Sequence, residues 1–426
     1  MDAPLTHANP WMMLPFGVLL GLIALAPMLF ASWWSKHYPK AACGLGATTL
    51  AWYFLAMPAA VGRVWHTTHE YVSFIALIGS LFVVSGGIHI TVKGEATPWE
   101  NTVFLLIGGI IANMLGTTGE SMLLIRPWLR MNKYRVTSHH VVFFIFIVAN
   151  VGGCLTPIGD PPLFLGYLMG IPFWWVARNC LPMWGVGMGM LLLMFFAVDY
   201  RNYRRAPRAV RAELAEPADT WRIEGLGNLI FLAVILGAVF IHRPAFLREG
   251  LMLAAASGSW FTTRKSIHQA NHFNFHPIAE VAVLFIGIFA TMMPALDWLE
   301  LNAHRLDHPG AAFFYWAAGG LSSALDNAPA YICFLKAIVA RFGGSDPAVA
   351  SLLGDARYGN YVLAISVAAV FFGANTYIGN GPNFMVKAIA DHQKVHVPGF
   401  LGYLFRYTLP FMMPMLLVVW WLFFRG

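Results

Sequence analysis

The sequence predicts an all-α polytopic membrane protein made of two inverted-topology repeats, each with a re-entrant helical hairpin and a broken transmembrane helix. Of the 426 residues, 58% are hydrophobic and only 11% are charged, and the mean hydropathy is +0.62. Such values are typical of chains that cross a membrane several times. Two long apolar runs are broken by Gly- and Pro-rich stretches, at residues 150–163 and 375–383. Breaks at matching places in both halves of a chain indicate inverted repeats around a shared binding site.

The first break has the sequence NVGGCLTPIGDPPL and interrupts an apolar run at residues 141–167. Proline removes a backbone donor and clashes with the preceding turn, and glycine frees the backbone, so a helix cannot continue through this stretch. Unpaired backbone is tolerated at membrane depth only where it lines a protein cavity or water. Asp160 lies in the break, and an ionisable side chain inside a membrane segment predicts a functional site.

The second break repeats the pattern of the first. Its sequence is NTYIGNGPN, and Asn380 stands where the first break has Asp160. Four residues recur at the same spacing: Thr156, Ile158, Gly159 and Pro162 correspond to Thr376, Ile378, Gly379 and Pro382. This spacing predicts that both halves share one structural plan, with a carboxylate in one half and an amide in the other.

The predicted organisation follows from the apolar runs and the charges between them. Two runs are each interrupted by a polar turn and could be either kinked spans or hairpins. Reading both as hairpins that open to opposite sides places the basic loop at residues 126–135 in the cytoplasm, in agreement with the positive-inside bias. We therefore expect an N-terminal transmembrane helix (1–40), a first repeat (41–198), a cytoplasmic linker (199–227) and a second repeat (228–426). In the first repeat the hairpin is expected near 102–125 and the broken helix near 141–167. In the second repeat the hairpin is expected near 311–335 and the broken helix near 360–389.

Location and partners follow from the same patterns. No basic region precedes the first apolar run, which predicts an uncleaved helix with the N-terminus outside, in a multi-pass protein of the inner (plasma) membrane. The lipid bilayer is therefore the expected partner. The formal net charge of +7 lies in short loops, which excludes a nucleic-acid-binding stripe. The four cysteines lack metal-ligand spacing, so we expect no transition-metal site and no cofactor.

An enzyme is a remote alternative. Asp160 and Asp326 could form the dyad of an intramembrane aspartyl protease, and residues 294–296 read Pro-Ala-Leu, as in that family. However, Asp160 follows Pro-Ile-Gly in place of Gly-x-Gly, and the tripeptide lies between the two aspartates instead of after them. The sequence therefore predicts that the protein is not an enzyme.

Four polar stretches should converge if the halves pack around a pseudo-two-fold axis, namely the two hairpin tips and the two breaks. Their carboxylates, hydroxyls and amides are ligands that hard cations prefer, and these stretches contain no Lys, Arg or His. The candidate ion- and proton-binding residues are Asp160, Asp326, Asn327, Thr156, Asn375, Thr376, Asn380 and Asn383, with Thr117, Thr118, Glu120, Asn150, Ser322, Ser323 and, at the start of a span, Glu280 as possible additions.

This set of residues favours a small cation over an organic anion, because acidic side chains would repel the anion. Competition of Na⁺ and H⁺ for Asp160 and Asp326 would give obligatory exchange, so the sequence predicts Na⁺(Li⁺)/H⁺ antiport, with Na⁺ and H⁺ as transported ions. The alternative is H⁺- or Na⁺-coupled transport of citrate or a dicarboxylate, whose carboxylates the Thr and Asn side chains would bind. A purely structural interpretation leaves residues such as Asn150 as interhelical hydrogen-bond partners.

Three histidines recur every four residues, at His268, His272 and His276. They could stack on one helical face as a pH sensor, since imidazole titrates near neutrality. The following Pro277 and the loop position favour an ordinary interfacial cluster instead.

Four motifs carry a family resemblance: GTTG at 116–119, LTPIGDPPLFLG at 155–166, LDNAP at 325–329 and GANTYIGNGPN at 373–383. They resemble the ion transporter superfamily, in the branch labelled sodium/proton antiporter or citrate transporter, over roughly residues 71–390. The resemblance implies inverted repeats with re-entrant hairpins and broken helices, and a possible homodimer that works by elevator-like alternating access. Glu120 stands where this branch is expected to have a small residue, so its role stays open.

Overall fold

The computed structural model describes residues 9–57, 60–91, 96–205, 222–241, 243–302, 310–342 and 349–425. The helices are α1 (Leu14–Leu29), α2 (Ala31–Ala56), α3 (Ala60–Gly86), α4 (Pro98–Met131), α5 (Ser138–Ile147), α6 (Pro161–Leu168), α7 (Phe173–Arg205), α8 (Asn228–Ala238), α9 (Leu247–Thr262), α10 (Lys265–Ala270), α11 (His276–Asn302), α12 (Ala311–Ala324), α13 (Asn327–Phe342), α14 (Val349–Leu353), α15 (Ala356–Gly373), α16 (Gly381–His392), α17 (Phe400–Tyr403) and α18 (Met413–Phe423). A 3₁₀ turn (Val151–Leu155) lies between α5 and α6, and a π-helix (Leu404–Met412) joins α17 to α18.

One small sheet departs from the predicted all-α class. The strands β1 (His89–Thr91) and β2 (Arg222–Glu224) pair antiparallel, with Ile90 opposite Ile223. Strands of three residues are too short to show the alternating pattern by which a strand is recognised in a sequence. The sheet holds the end of the predicted linker against the chain segment between α3 and α4.

The described residues contain seven helical stretches that are long and apolar enough to cross a membrane, by length and composition. They are residues 10–27, 61–86, 98–131, 138–155, 173–205, 276–298 and 400–423. The protein is therefore a helical, polytopic membrane protein.

Helix α4 is long enough for a span, but it folds back on itself. Asn101 and Asn132, near its two ends, exchange side-chain hydrogen bonds of 2.8 and 3.0 Å, although a straight helix would separate them by about 46 Å. The rings of Phe104 and Trp128 also stack, with their centroids 5.4 Å apart. The reversal occurs at Gly116, whose φ of 72° is costly for any residue with a Cβ. The tip of this hairpin therefore lies at Gly116.

Helices α12 and α13 form the corresponding pair in the second half. They are separated only by Leu325 and Asp326. Phe314, near the start of α12, and Phe342, at the end of α13, both contact the ring of Tyr361, at centroid distances of 5.0 and 5.6 Å. The far ends of the two helices are thus close together, and the chain reverses at the polar turn.

Each half also has one interrupted helix. In the first, α5 ends at Ile147 and α6 begins at Pro161; in the second, α15 ends at Gly373 and α16 begins at Gly381. The residues between the segments are buried, except Leu155, Thr156 and Ile378, which are half-buried. The breaks thus lie inside the protein, where other protein groups can satisfy the exposed backbone.

Two predicted domain boundaries fall inside helices. The boundary at residue 40 lies within α2, which includes Lys36 and Lys40. The first helix already ends at Leu29, and the chain bends at Phe30 (φ −142°). The boundary at residue 198 lies within α7, which continues to Arg205. Hydropathy marks where apolar residues stop, whereas a helix continues into polar residues as long as its backbone bonds are made. Residues 206–221 of the predicted linker lie outside the described part of the chain.

Two apolar cores lie side by side. The first is built mainly from α4, α5, α7, α12, α13, α15 and the C-terminal helices and includes Trp128 and Tyr315. The second is built mainly from α1, α2, α3, α8, α9 and α11 and includes Phe74. Helix α6 contributes Leu163 to the first core and Phe164 to the second. The short helix that follows Asp160 therefore joins the two cores.

Asp199, near the end of α7, is fully buried and ties three segments together. Arg135 forms an ion pair with both carboxylate oxygens, and its Nη2 lies 3.0 Å from Oδ2. The Asn101 amide donates to Oδ2 at 2.9 Å, and the Nε2 atoms of His139 and His140 lie 3.2 and 3.1 Å from Oδ1. This network fastens the open end of the α4 hairpin to α5 and α7.

Replacing Asp199 with Asn should destabilise the protein strongly, because it leaves the buried Arg135 guanidinium without a counter-ion. Breaking a buried pair in this way costs about 3–5 kcal/mol, so the melting temperature in detergent should fall by several degrees. The double variant Asp199→Asn/Arg135→Met should recover part of the loss, because no orphaned charge remains. Asp391→Asn, which breaks the exposed pair with Lys387, is the control and should cost at most about 1 kcal/mol. An equal loss in Asp199→Asn and the control would contradict the prediction.

Candidate functional site

Asp160 lies at the point where both hairpins and the second break meet. Its carboxylate is buried and accepts three hydrogen bonds from side chains of distant segments. The Thr117 hydroxyl donates to Oδ1 at 2.7 Å, the Asn380 amide donates to Oδ1 at 3.0 Å, and the Asn327 amide donates to Oδ2 at 2.5 Å. All three donors are neutral, so none of the side chains bonded to Asp160 is a cation that would compensate a charge on its carboxylate.

Three asparagines connect the two breaks across the centre of the molecule. The Asn150 amide donates to Oδ1 of Asn383 at 2.6 Å, and the Asn380 amide donates to Oδ1 of Asn150 at 3.2 Å. Asn383 in turn donates to the backbone carbonyls of Gly373 and Thr376, at 2.8 and 2.9 Å. These bonds satisfy carbonyls that the interrupted α15 leaves without a helical partner, which is a framework role.

The two breaks repeat the same local contacts, each with its own hairpin. The Thr156 hydroxyl donates to the Asn113 carbonyl in the first hairpin at 2.6 Å and accepts from the Gly159 N–H at 3.1 Å. The Thr376 hydroxyl donates to the Ser323 carbonyl in the second hairpin at 2.8 Å and accepts from the Gly379 N–H, also at 3.1 Å. Each threonine therefore joins a hairpin tip to the turn of the neighbouring break.

A pair of glycines in close contact forms the core of each break, and this feature was not predicted from the sequence. A Cβ added to Gly159 would lie 2.1 Å from the Gly153 carbonyl oxygen, and a Cβ on Gly379 would lie 2.6 Å from that of Gly373. Neither neighbour is a side chain that could rotate away. The sequence contains a signal for this feature, because the two glycines of each pair are six residues apart and occupy matching positions in the aligned breaks.

Two buried amide oxygens near the hairpin tips have no donor. Within the described residues, Oδ1 of Asn327 and Oδ1 of Asn375 form no hydrogen bond. Asn375 uses its amide nitrogen to donate to the Ser323 hydroxyl at 2.9 Å. Buried polar atoms normally have partners. The unpaired Asn327 oxygen belongs to the same amide that donates to Asp160, so a cation bound there would satisfy it.

A cavity of about 20 Å³ borders Asp160. It lies between the tip of the α4 hairpin, the first break and α3, and Thr117, Thr118, Gly159 and Phe74 are among its lining residues. A water molecule needs about 10–15 Å³ by this kind of measure, whereas pockets for drug-sized ligands measure about 300–1,000 Å³. The space beside Asp160 in this conformation suits one water molecule or one small cation.

The remaining predicted residues lie at different distances from this centre. Asp326 is half-buried at the start of α13, where the Ala328 N–H approaches its Oδ1 at 3.4 Å; Asn327 is the neighbour that bonds Asp160. The Ser322 hydroxyl donates to the Ala369 carbonyl at 2.7 Å and so holds the hairpin against α15. Glu280 is half-buried near the start of α11, where His276 lies 3.9 Å away, and among the described residues no hydrogen bond or ion pair joins it to another candidate.

Glu120 is fully buried one helical turn after Thr117. Neither of its carboxylate oxygens has a hydrogen-bond partner among the residues that the structure describes, and the same holds for the hydroxyl of Ser121. A Cβ on Gly108, in the other arm of the hairpin, would lie 3.5 Å from Oε1 of Glu120. The structure therefore places Glu120 in the interior of the hairpin, bonded to none of the candidate ligands.

The three spaced histidines do not share a helical face. Helix α10 ends at Ala270, and His272 has a φ of 46°, so the chain turns between them. His268 packs on Trp260 at a centroid distance of 4.6 Å, and burial lowers its pKa. His276 begins α11. The spacing of four residues therefore does not place the three histidines on one face, because a turn that the hydropathy of the sequence does not reveal lies between α10 and α11.

A different group of side chains resembles a metal site. One nitrogen each of His139 and His140 and a carboxylate oxygen of Asp199 lie within 4.8 Å of one another. However, the Thr137 N–H donates to Nδ1 of His140 at 3.2 Å, which assigns the ring proton to Nε2, the atom that faces Asp199. Arg135 already neutralises the carboxylate. These contacts fit an ion pair between Arg135 and Asp199, with the two imidazole rings beside it, better than a transition-metal site.

Helical N-termini also converge on Asp160. The second arm of α4 begins after Gly116, α6 begins directly after Asp160, α13 begins at Asn327 and α16 begins after Asn380. Each N-terminus carries positive partial charge. Their common effect is to favour negative charge at this point, where the carboxyl group of Asp160 lies.

The comparisons with known proteins confirm the family resemblance. A family described as "Putative citrate transport" matches residues 5–424, which include both hairpins and both breaks. The chain is also similar to the inner membrane protein YbiR of Escherichia coli (strain K12), with 22% identity over 295 residues that cover 66% of this chain and 72% of that protein. The chain therefore belongs to the family described as "Putative citrate transport" and is a membrane transporter.

Proposed function

We propose that the protein exchanges Na⁺ or Li⁺ for H⁺ across the inner (plasma) membrane by alternating access. One observation carries the proposal: the buried carboxylate of Asp160 receives only neutral donors, and among the described residues the amide oxygens of Asn327, at the tip of the second hairpin, and Asn375, in the second break, accept no hydrogen bond. A cation or a proton can neutralise Asp160, but both cannot do so at once. Competition for one carboxylate is sufficient to couple the two ions.

In this mechanism the Asp160 carboxylate takes Na⁺ or H⁺ in turn. Thr117, Asn327 and Asn380 hold its oxygens in place, so that the charge stays directed at one position. The oxygens of Asn327 and Asn375, together with backbone carbonyls of the breaks, would complete the coordination of Na⁺. Thr156, Thr376, Asn150 and Asn383 serve as the framework, and Asp326 is a second carboxylate for the proton at the hairpin tip.

The repeated contacts of Thr156 and Thr376 support inverted-topology repeats with re-entrant hairpins, because each break joins its own hairpin in the same way. We place the N-terminus outside and the central linker in the cytoplasm, since this arrangement follows the positive-inside bias. Movement of the first core against the second, around the cavity between α3 and the hairpin tip, would give access to alternate sides. A homodimer would anchor the second core.

Coupled transport of citrate or a dicarboxylate is the second candidate. The family description favours it, and so does the convergence of helical N-termini, which could hold a carboxylate of the substrate. The site in this conformation opposes it, because Asp160 would repel an anion and the adjacent cavity measures only about 20 Å³.

The two candidates predict different responses in proteoliposomes. With an acid-inside pH gradient and a pH-sensitive dye, addition of Na⁺ or Li⁺ should collapse the gradient, whereas K⁺ and citrate should have no effect. Liposomes without protein control for leakage. A gradient that responds to citrate and ignores every cation would refute antiport and support the second candidate.

A further inference from the structure

A second cavity, of about 410 Å³, is lined by positive charge. It lies where three segments meet: the end of the α4 hairpin, the connection between α10 and α11, and the end of α16. Arg126, Arg130 and Lys133 belong to the first segment, His272 belongs to the second, and Lys394 follows the third. None of its lining residues is a carboxylate.

Ion pairs among the described residues do not compensate the charges of Arg126, Arg130 and Lys394. Arg126 is half-buried, and its guanidinium donates a long hydrogen bond of 3.4 Å to the Met122 carbonyl. No described carboxylate forms an ion pair with Arg126, Arg130 or Lys394. A half-buried guanidinium normally has an anionic partner, since burial weakens its hydration.

The basic cavity is separate from the ion site. Arg126 follows Thr117 by nine residues, or about 13 Å of helix rise, and no candidate ligand of the ion site lines the cavity. The two cavities also differ twenty-fold in size, at about 410 and 20 Å³. An occupant of the larger cavity would therefore leave Asp160 untouched.

Two ordinary causes explain part of this charge. Cations are favourable at helical C-termini, and cytoplasmic loops are rich in Lys and Arg. Either cause can place a cation at the end of α4 or α16. Neither cause explains why cations from the ends of both α4 and α16 lie together with His272 around one cavity that has no acidic lining residue.

We propose that this basic cavity binds an anion with one or more phosphate groups, which is either the headgroup of an acidic phospholipid or a free phosphate compound. Guanidinium groups pair bidentately with phosphate, and basic pockets between helices on the cytoplasmic side are suited to acidic headgroups. The cavity joins α4 and α16 of the first core to the α10–α11 connection. A bound phosphate would therefore connect the end of the α4 hairpin opposite its tip to the α10–α11 connection. The proposal does not depend on which ion is transported.

The test measures the melting temperature of the full-length protein purified in a neutral detergent. Phosphatidylglycerol, inorganic pyrophosphate, phosphatidylcholine and sodium chloride of equal ionic strength are added separately. We expect phosphatidylglycerol, pyrophosphate or both to raise the melting temperature by several degrees, and neither phosphatidylcholine nor sodium chloride to do so. A response to phosphatidylglycerol alone identifies a lipid headgroup, and a response to pyrophosphate identifies a free phosphate compound. No response to either, or an equal response to sodium chloride, would overturn the proposal.

A matched pair of variants assigns the effect to the cavity. Arg126→Gln/Arg130→Gln/Lys394→Gln should weaken the response at least tenfold in ligand concentration. Lys36→Gln/Lys40→Gln/Lys265→Gln removes the same charge from exposed positions outside the cavity and should keep the full response. Each variant is first compared with the wild type without ligand, so that a change in folding is measured separately. A response retained in the first variant or lost in the second would count against the cavity as the site.

Discussion

Asp160→Asn should reduce ion exchange at least a hundredfold while leaving the protein folded and inserted. The substitution removes the carboxylate to which Thr117, Asn327 and Asn380 all donate hydrogen bonds. Loss of one member of a buried ion pair costs about 3–5 kcal/mol, and each 1.4 kcal/mol is tenfold in affinity, so a cation should no longer bind. The fold should persist, because the second break already has an amide at the matching position, Asn380. The measurement is Na⁺-dependent dissipation of a pH gradient in proteoliposomes.

The control for this prediction is Asp391→Asn. Asp391 is an exposed carboxylate that pairs with Lys387 at the surface of α16, so its loss should leave exchange unchanged. The amount of each variant in the liposomes is measured on a gel, and its monodispersity is measured by gel filtration. Wild-type exchange by correctly inserted Asp160→Asn would remove this carboxylate from the mechanism.

Gly159→Ala should disrupt the first break. The new Cβ would lie 2.1 Å from the Gly153 carbonyl oxygen and 2.8 Å from its carbonyl carbon. Both atoms belong to the backbone, so only a shift of the chain can relieve the clash. Overpacking of a buried site costs about 1–3 kcal/mol and sometimes more, and here the shift would also move the N-terminus of α6 and with it Asp160. We expect a lower melting temperature in detergent and loss of exchange.

Two further glycines make this prediction specific. Gly379→Ala should act in the same direction, because its Cβ would lie 2.6 Å from the Gly373 carbonyl oxygen in the second break. Gly189→Ala, in the middle of α7, has no atom within 4 Å of the new Cβ and should be neutral or slightly stabilising, since alanine favours a helix by about 1 kcal/mol. If Gly159→Ala melts and transports like Gly189→Ala, the contact between the glycines has no structural importance.

From the sequence we predicted two carboxylates at the centre of the site, but not which side chain of each polar turn contacts the other turn. The sequence placed both Asp160 and Asp326 in polar turns, and the turns do meet. The side chain that reaches Asp160 is that of Asn327, at 2.5 Å, whereas Asp326 faces the first N–H groups of its own helix. Neighbouring residues at the start of a helix point about 100° apart. A motif such as Leu-Asp-Asn-Ala-Pro therefore identifies the turn but does not say which of its residues faces the site.

The sequence by itself determined the membrane class, the positions of the two breaks and the motif that the breaks share. These are local properties, because hydropathy, proline and glycine act on their own stretch of chain. Tertiary structure alone decided the partners of Asp160, which lie 167 and 220 residues away in Asn327 and Asn380. It also decided the burial of Asp199 and the gathering of basic side chains in one cavity. Such contacts depend on how distant segments pack, and no local pattern records that packing.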